Sequence, residues 1–137
     1  MVRSLIKMNK EKDFQKETNE SAISHIESIK EMLKKANSKN TETAEQGQTE
    51  IDEDPLEIAT GKEFDGTRTY MILLGTGGPA MRIIGELNEY DQPDTAKYQF
   101  QDWFTPWTTA EITEEQEQTL IQYANYFYFE KENNHEE

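Results

Sequence analysis

The stretch LLGTGGPAMRIIGEL, residues 73–87, decides the fold. Its apolar start runs into Gly75-Thr76-Gly77-Gly78-Pro79-Ala80, which has the G-x-G-x-x-A spacing of loops that cradle a pyrophosphate. That chemistry needs a strand leading into a helix whose N-terminus meets the phosphates, with an acid about twenty residues on for the ribose. Asp94 and Asp102 stand at about that distance, but no further β-α unit follows them. A helix opened by Pro79 is disfavoured by the β-branched pair Ile83-Ile84 and by Gly85 in mid-segment. No lysine follows the glycines, which excludes a P-loop. As a hairpin turn, Thr76-Gly77-Gly78-Pro79 is accounted for, because paired glycines accept the positive φ angles of tight strand connections. The expectation is therefore a turn between two strands. A small nucleotide- or metal-dependent enzyme using this loop and nearby carboxylates stays as an alternative, and it predicts a pocket beside Thr76–Ala80.

Outward from the turn, residues alternate with the period of a strand. Tyr70, Ile72 and Leu74 face one way and Met71 and Leu73 the other; Met81, Ile83, Gly85 and Leu87 alternate with Arg82, Ile84 and Glu86. NEYDQPD, residues 88–94, is rich in turn formers, and in TAKYQFQ the residues Ala96, Tyr98 and Phe100 share a side. Downstream, Thr113-Glu114-Glu115-Gln116 is a capping box opening a helix with Leu120, Ile121, Ala124, Phe127 and Tyr128 as its apolar stripe. The expected fold class is α+β, a three-stranded antiparallel β-meander packed against a C-terminal helix.

Upstream, SAISHIESIKEMLKKAN places Ile23, Ile26, Ile29, Leu33 and Ala36 at three- and four-residue spacing, the pattern of an amphipathic helix. Residues 38–54 hold one large apolar residue, Ile51, and read as a polar acidic linker. Asp54-Pro55 before LEIAT predicts a short helical turn. The expected organisation is an N-terminal segment over 1–37, the linker over 38–54, a small α+β domain over 55–130 and an acidic tail over 131–137. The N-terminal helix has three outlets: packing on the domain, docking on a partner, or pairing with a second copy in a self-associating structural or regulatory protein.

The chain has 137 residues and a formal net charge of −14, and the charge is segregated. Residues 1–40 carry nine Lys/Arg against six Asp/Glu, and residues 41–137 carry five against twenty-two, which is +3 against −17. An acidic body repels nucleic acid and is drawn to basic clefts. Without cysteine there are no disulfides, thiolate nucleophiles or cysteine-based zinc sites. No run approaches the roughly eighteen apolar residues of a membrane span, and the first residues lack the apolar stretch of a signal peptide, so a cytoplasmic protein without membrane contact is expected.

The most unusual octet is QDWFTPWT, residues 101–108, where Trp103, Phe104 and Trp107 crowd around a proline. These aromatics either plug one end of the core or anchor a partner, as aromatic residues do at binding hot spots. Candidate charge contacts are Asp52, Glu53, Asp54, Glu111, Glu114 and Glu115. The last two also have an ordinary role, since acids in a first helical turn complement the helix dipole. No EF-hand spacing appears, and His25 and His135 read as solvent-facing, so no catalytic residue, metal or cofactor is expected. Arg68 and Arg82 read as structural ion-pair partners.

TGGPAMRIIGELNEYDQPDTAKYQFQDWFTPWT, residues 76–108, resembles a core found in small accessory proteins of phages and other mobile elements. The resemblance spans roughly residues 66–129 and leaves the first forty outside. It implies a genomic setting, among accessory genes that often include inhibitors of host defence such as anti-CRISPR proteins; with the acidic body, the expectation is a non-enzymatic inhibitor of a host defence nucleoprotein acting in the host cytoplasm. Its partner would be a host protein with a basic nucleic-acid-binding cleft, such as a CRISPR effector, engaged by acidic residues that stand in for phosphate and by aromatic anchors.

Overall fold

The computed structural model describes residues 2–102 and 105–129, with side chains from Asp13 onward. In chain order they form α1 (Val2–Ala36), α2 (Thr41–Glu53), β1 (Glu57–Lys62), β2 (Arg68–Gly75), β3 (Ala80–Glu86), β4 (Lys97–Gln101), β5 (Thr108–Thr109) and α3 (Glu114–Ala124). The class is α+β. The strands form one sheet in the order β1-β2-β3-β4-β5, antiparallel at every pairing. Thr76–Pro79 is the hairpin connection between β2 and β3, with Gly77 at φ 98°. No helix begins at Pro79, so no helix N-terminus faces the glycines.

The expected meander is β2–β3–β4, and one strand is added at each edge. β1 replaces the helical turn predicted behind Asp54-Pro55, because Ile58 and Thr60 alternate with Glu57 and Ala59 and pair with Ile72 and Tyr70 along an unbroken register. Cross-strand partners share a face, so Ile58, Ile72, Ile83 and Tyr98 lie in one row, and Leu73, Arg82 and Gln99 in a row on the opposite side. The first face is the core. Tyr70, Ile72, Ile83, Tyr98 and Phe100 are buried there beneath α1 and α3.

Two glycines permit close approaches that any side chain would block. At Gly85 an added β-carbon would run into the carbonyl oxygen of Thr95 and stand 2.7 Å from the Tyr70 ring. The chain returning from β3 is pinned across this spot, with the Tyr70 hydroxyl donating to the same Thr95 carbonyl at 2.7 Å. Gly47 is the second case: its β-carbon would collide with the backbone of Lys35 and Ala36 where α2 crosses the end of α1.

That crossing corrects the expected linker. Most of residues 38–54 is helix α2, not a tether. Asn40 caps it, its side chain accepting from the Thr43 N–H at 2.9 Å, while Gly47 and Ile51 are buried and Lys35 pairs with Glu50 at 2.9 Å. Helices that meet through glycine leave no broad apolar stripe, so the periodicity test finds nothing. α1 also begins earlier than its stripe suggests and packs along the sheet. Ala22, Ile26, Ile29, Met32 and Leu33 are its buried face, and Ile23 points to solvent.

α3 opens on the predicted capping box, with Thr113 and Gln116 each serving the other's backbone N–H. It ends at Ala124, short of the predicted stripe. Beyond it Tyr128 is exposed, and Phe129 is buried against Tyr70 with ring centroids 5.1 Å apart. The tail over 131–137 and His135 lie outside the described residues.

Substitution tests the close approaches. Gly85→Ala and Gly47→Ala are each expected to cost about 1–3 kcal/mol in denaturant unfolding, the range for forced overpacking. Gly78→Ala, which meets nothing within 4 Å, should change stability by less than about 0.5 kcal/mol.

Candidate interaction surface

α2 folds with its acids on one side. At about 100° per residue, Glu42, Glu45, Asp52 and Glu53 fall within a sector of about 100°, opposite the buried Gly47 and Ile51. All four are exposed, and no ion pair among the described residues engages them. On this hairpin Lys35 is committed to Glu50. All four lie in the stretch read as linker, but Asp52 and Glu53 stand with Asp54 in an unbroken run of three acids, whereas Glu42 and Glu45 are isolated from other acids, so the sequence singles out only the run.

Asp54 differs from its two neighbours. It closes α2 and accepts a hydrogen bond from the Tyr123 hydroxyl at 2.5 Å, joining the end of α2 to the end of α3. Burial, then the hydrogen bond to Asp54 and the charge of Asp54, push the Tyr123 phenol above its ordinary pKa, so it stays protonated and remains the donor.

Glu111, Glu114 and Glu115 are exposed at the other end of α3. Glu114 and Tyr123 are nine residues apart, about 13 Å along the helix axis, so these acids and those of α2 flank α3 without merging. Glu111 is partly engaged, since the Asn19 amide donates to its carboxylate at 3.0 Å. Glu117, one turn on, reaches inward, and its carboxylate accepts from the Ala96 N–H at 3.1 Å.

The aromatic octet divides. Trp103 and Phe104 lie outside the described residues. Trp107 is half-buried, with the Arg82 guanidinium carbon 4.1 Å from its ring centroid, and Arg82 Nε donates to Gln99 at 2.8 Å. Arg82 is on the sheet face away from the helices, so Trp107 and the acids of α2 occupy opposite sides of the molecule. Of the two arginines read as ion-pair partners, Arg68 pairs with Asp91; Arg82 is held by the amide and the indole instead.

Sequence reasoning missed a polar cluster at the helix–sheet boundary. The buried Tyr98 hydroxyl lies 2.8 Å from Ser21 Oγ and 2.8 Å from His25 Nδ1. His25 is therefore no solvent-facing bystander. Burial lowers its pKa, partly opposed by the charge of Asp54. The available signal was spacing: Ser21 and His25 are four apart, on the same side of α1 as Ala22 and Ile26.

Among the described residues, no group of three or more His, Asp or Glu is placed to hold a metal ion, and no helix is long and apolar enough to cross a membrane. Compared with protein-family models, curated proteins and solved structures, this chain matches none. Its function must be read from its own chemistry.

Two measurements probe the buried polar groups. Tyr123→Phe should cost about 1.5–3 kcal/mol, the range for a hydrogen bond to a charged group, read by denaturant unfolding at neutral pH. Burial makes His25 harder to protonate in the folded chain than in the unfolded one, whose imidazole takes up a proton near its ordinary value of 6.5. Its contribution is therefore present above about pH 6.5 and lost as pH falls below it. Thermal midpoints followed from pH 8 to pH 5 should fall more steeply for the wild-type chain than for His25→Asn.

Proposed function

We propose that this protein is a non-enzymatic interaction protein whose acidic helical side occupies a basic, nucleic-acid-binding cleft of another protein. The observation that carries the reading is the row of unpaired carboxylates on α2. Glu42, Glu45, Asp52 and Glu53 span about 16 Å of helix, a mean of about 5.5 Å of axis between acids, the same order as the phosphate spacing of nucleic acid. A single strand of B-DNA carries one phosphate per roughly 3.4 Å. A rigid row at this spacing meets the lysines and arginines of a nucleic-acid cleft without ordering a flexible tail.

The acids at the start of α3 extend the same side of the molecule and add to its field. Trp107 faces the other way, so charge alone is assigned to this surface. The resemblance of residues 76–108 to a core of phage and mobile-element proteins supports the biological setting: inhibition of a host defence nucleoprotein, with a CRISPR effector as the partner class to test first.

The experiment is affinity capture of the tagged chain from lysate of its natural host, with identification of what is retained. The expected result is a nucleic-acid-binding effector that is displaced by added nucleic acid and lost as salt rises from about 50 to 200 mM. The variant Glu42→Gln/Glu45→Gln/Asp52→Asn/Glu53→Gln alters only exposed side chains and should weaken binding by at least about tenfold. Binding indifferent to both salt and this variant would sink the reading.

A further inference from the structure

The two edges of the sheet are treated differently. β5 is only two residues long, and α1 leans over it, with the Gln15 amide donating to the Thr109 carbonyl at 3.0 Å. β1 has six residues, and no described residue pairs with its outer edge. The charges that usually guard a free edge stand only at the two ends of β1, Glu57 and Lys62. Its register against β2 runs unbroken from Glu57↔Leu73 to Lys62↔Arg68, and Ile58-Ala59-Thr60-Gly61 contains no charge, proline or bulge.

The same place gathers exposed apolar side chains. Six large ones are exposed among the described residues, and three of them sit on β1 or beside it: Leu56 at 60%, Ile58 at 39% and Phe64 at 108% relative exposure. Leu56 immediately precedes β1 and, two residues apart in extended chain, shares a face with Ile58. An open ladder with apolar side chains at the same edge is the arrangement that accepts an extended peptide by strand addition.

Charge selects the occupant. Residues 53–65 carry five acids, Glu53, Asp54, Glu57, Glu63 and Asp65, against one cation, Lys62. A second copy would bring a like-charged edge on a body of net charge −14 against the first. We infer that the outer edge of β1 is a strand-addition site for an extended, lysine- or arginine-bearing segment of a partner protein. The edge stands by its own geometry; the sign of the partner's charge rests on the function proposed above, since the acid row of α2 ends at Glu53 where the approach to β1 begins.

The test uses the full chain and a short synthetic peptide alternating lysine with valine, with residue-level amide hydrogen exchange as the readout. The expected result is slowed exchange at alternate β1 amides, absent with a glutamate–valine peptide and with a version interrupted by proline. Ile58→Lys, which puts a cation on the edge, should weaken binding by at least about tenfold. Phe64→Ser alters a fully exposed residue, keeps the fold, and should weaken binding several-fold. Peptide binding that leaves β1 amides unprotected, or that both variants leave unchanged, would overturn the edge while leaving the acidic surface standing. Equal protection by a serine–valine peptide would overturn the basic occupant and count against the function proposed above. β1 protection that grows with protein concentration in the absence of peptide would assign the edge to a second copy and overturn the proposal.

Discussion

Among the described residues, helices cover one face of the sheet only, and most of the structure follows from that constraint. With α1 and α3 on one side, each strand must sort its residues by parity. Tyr70, Ile72, Ile83, Tyr98 and Phe100 go beneath the helices, and Arg82 and Gln99 go to the other side. The same division separates the aromatic and acidic groups that look contiguous in the sequence. Trp107 follows Arg82 to the uncovered face, while the carboxylates remain with the helices.

A small covered face makes each buried polar group consequential. Two tyrosines, Tyr98 and Tyr123, bring hydroxyls to the margins of the core, and each hydroxyl is met by a group from a different element. The aromatic bodies supply buried area, and the hydroxyls fix where α1 and α2 sit. Helix placement therefore rests on directional contacts as well as on Ile26, Ile29 and Leu33, which alone would tolerate sliding.

The meander was legible because alternation is a local signal. Tyr70-Met71-Ile72 and Arg82-Ile83-Ile84 carry their faces in their own order, and Gly77-Gly78 announces the turn between them. The capping box at Thr113 was legible for the same reason. α2 was not, since its evidence is relational: Gly47 matters because the backbone of Ala36 lies against it, and that proximity has no trace in residues 41–53 alone. β1 was hidden by Asp54-Pro55, a helix-start signal in sequence that in the folded chain closes the preceding helix. At the candidate site, Asp52 and Glu53 were found by composition. Glu42 and Glu45 joined them only once a helix brought residues ten apart onto one side, and His25 became legible only beside Tyr98.

Gly85 settles a further matter, the choice among alternative strand alignments. The segment from Leu87 to Ala96 folds back over β3, held by Leu87 N–H to Arg68, Asp94 N–H to Glu86 and the Tyr70 hydroxyl to Thr95. Only a residue without a β-carbon fits under the Thr95 carbonyl. A slip of one residue along β3 would place Ile84 or Glu86 there, and a slip of two would place Ile83 or Leu87. A slip of β3 by one or two residues thus meets a steric wall at this point, and the correct alignment does not. The glycine acts as an index mark for the sheet, rejecting wrong alignments without contributing a side-chain contact of its own.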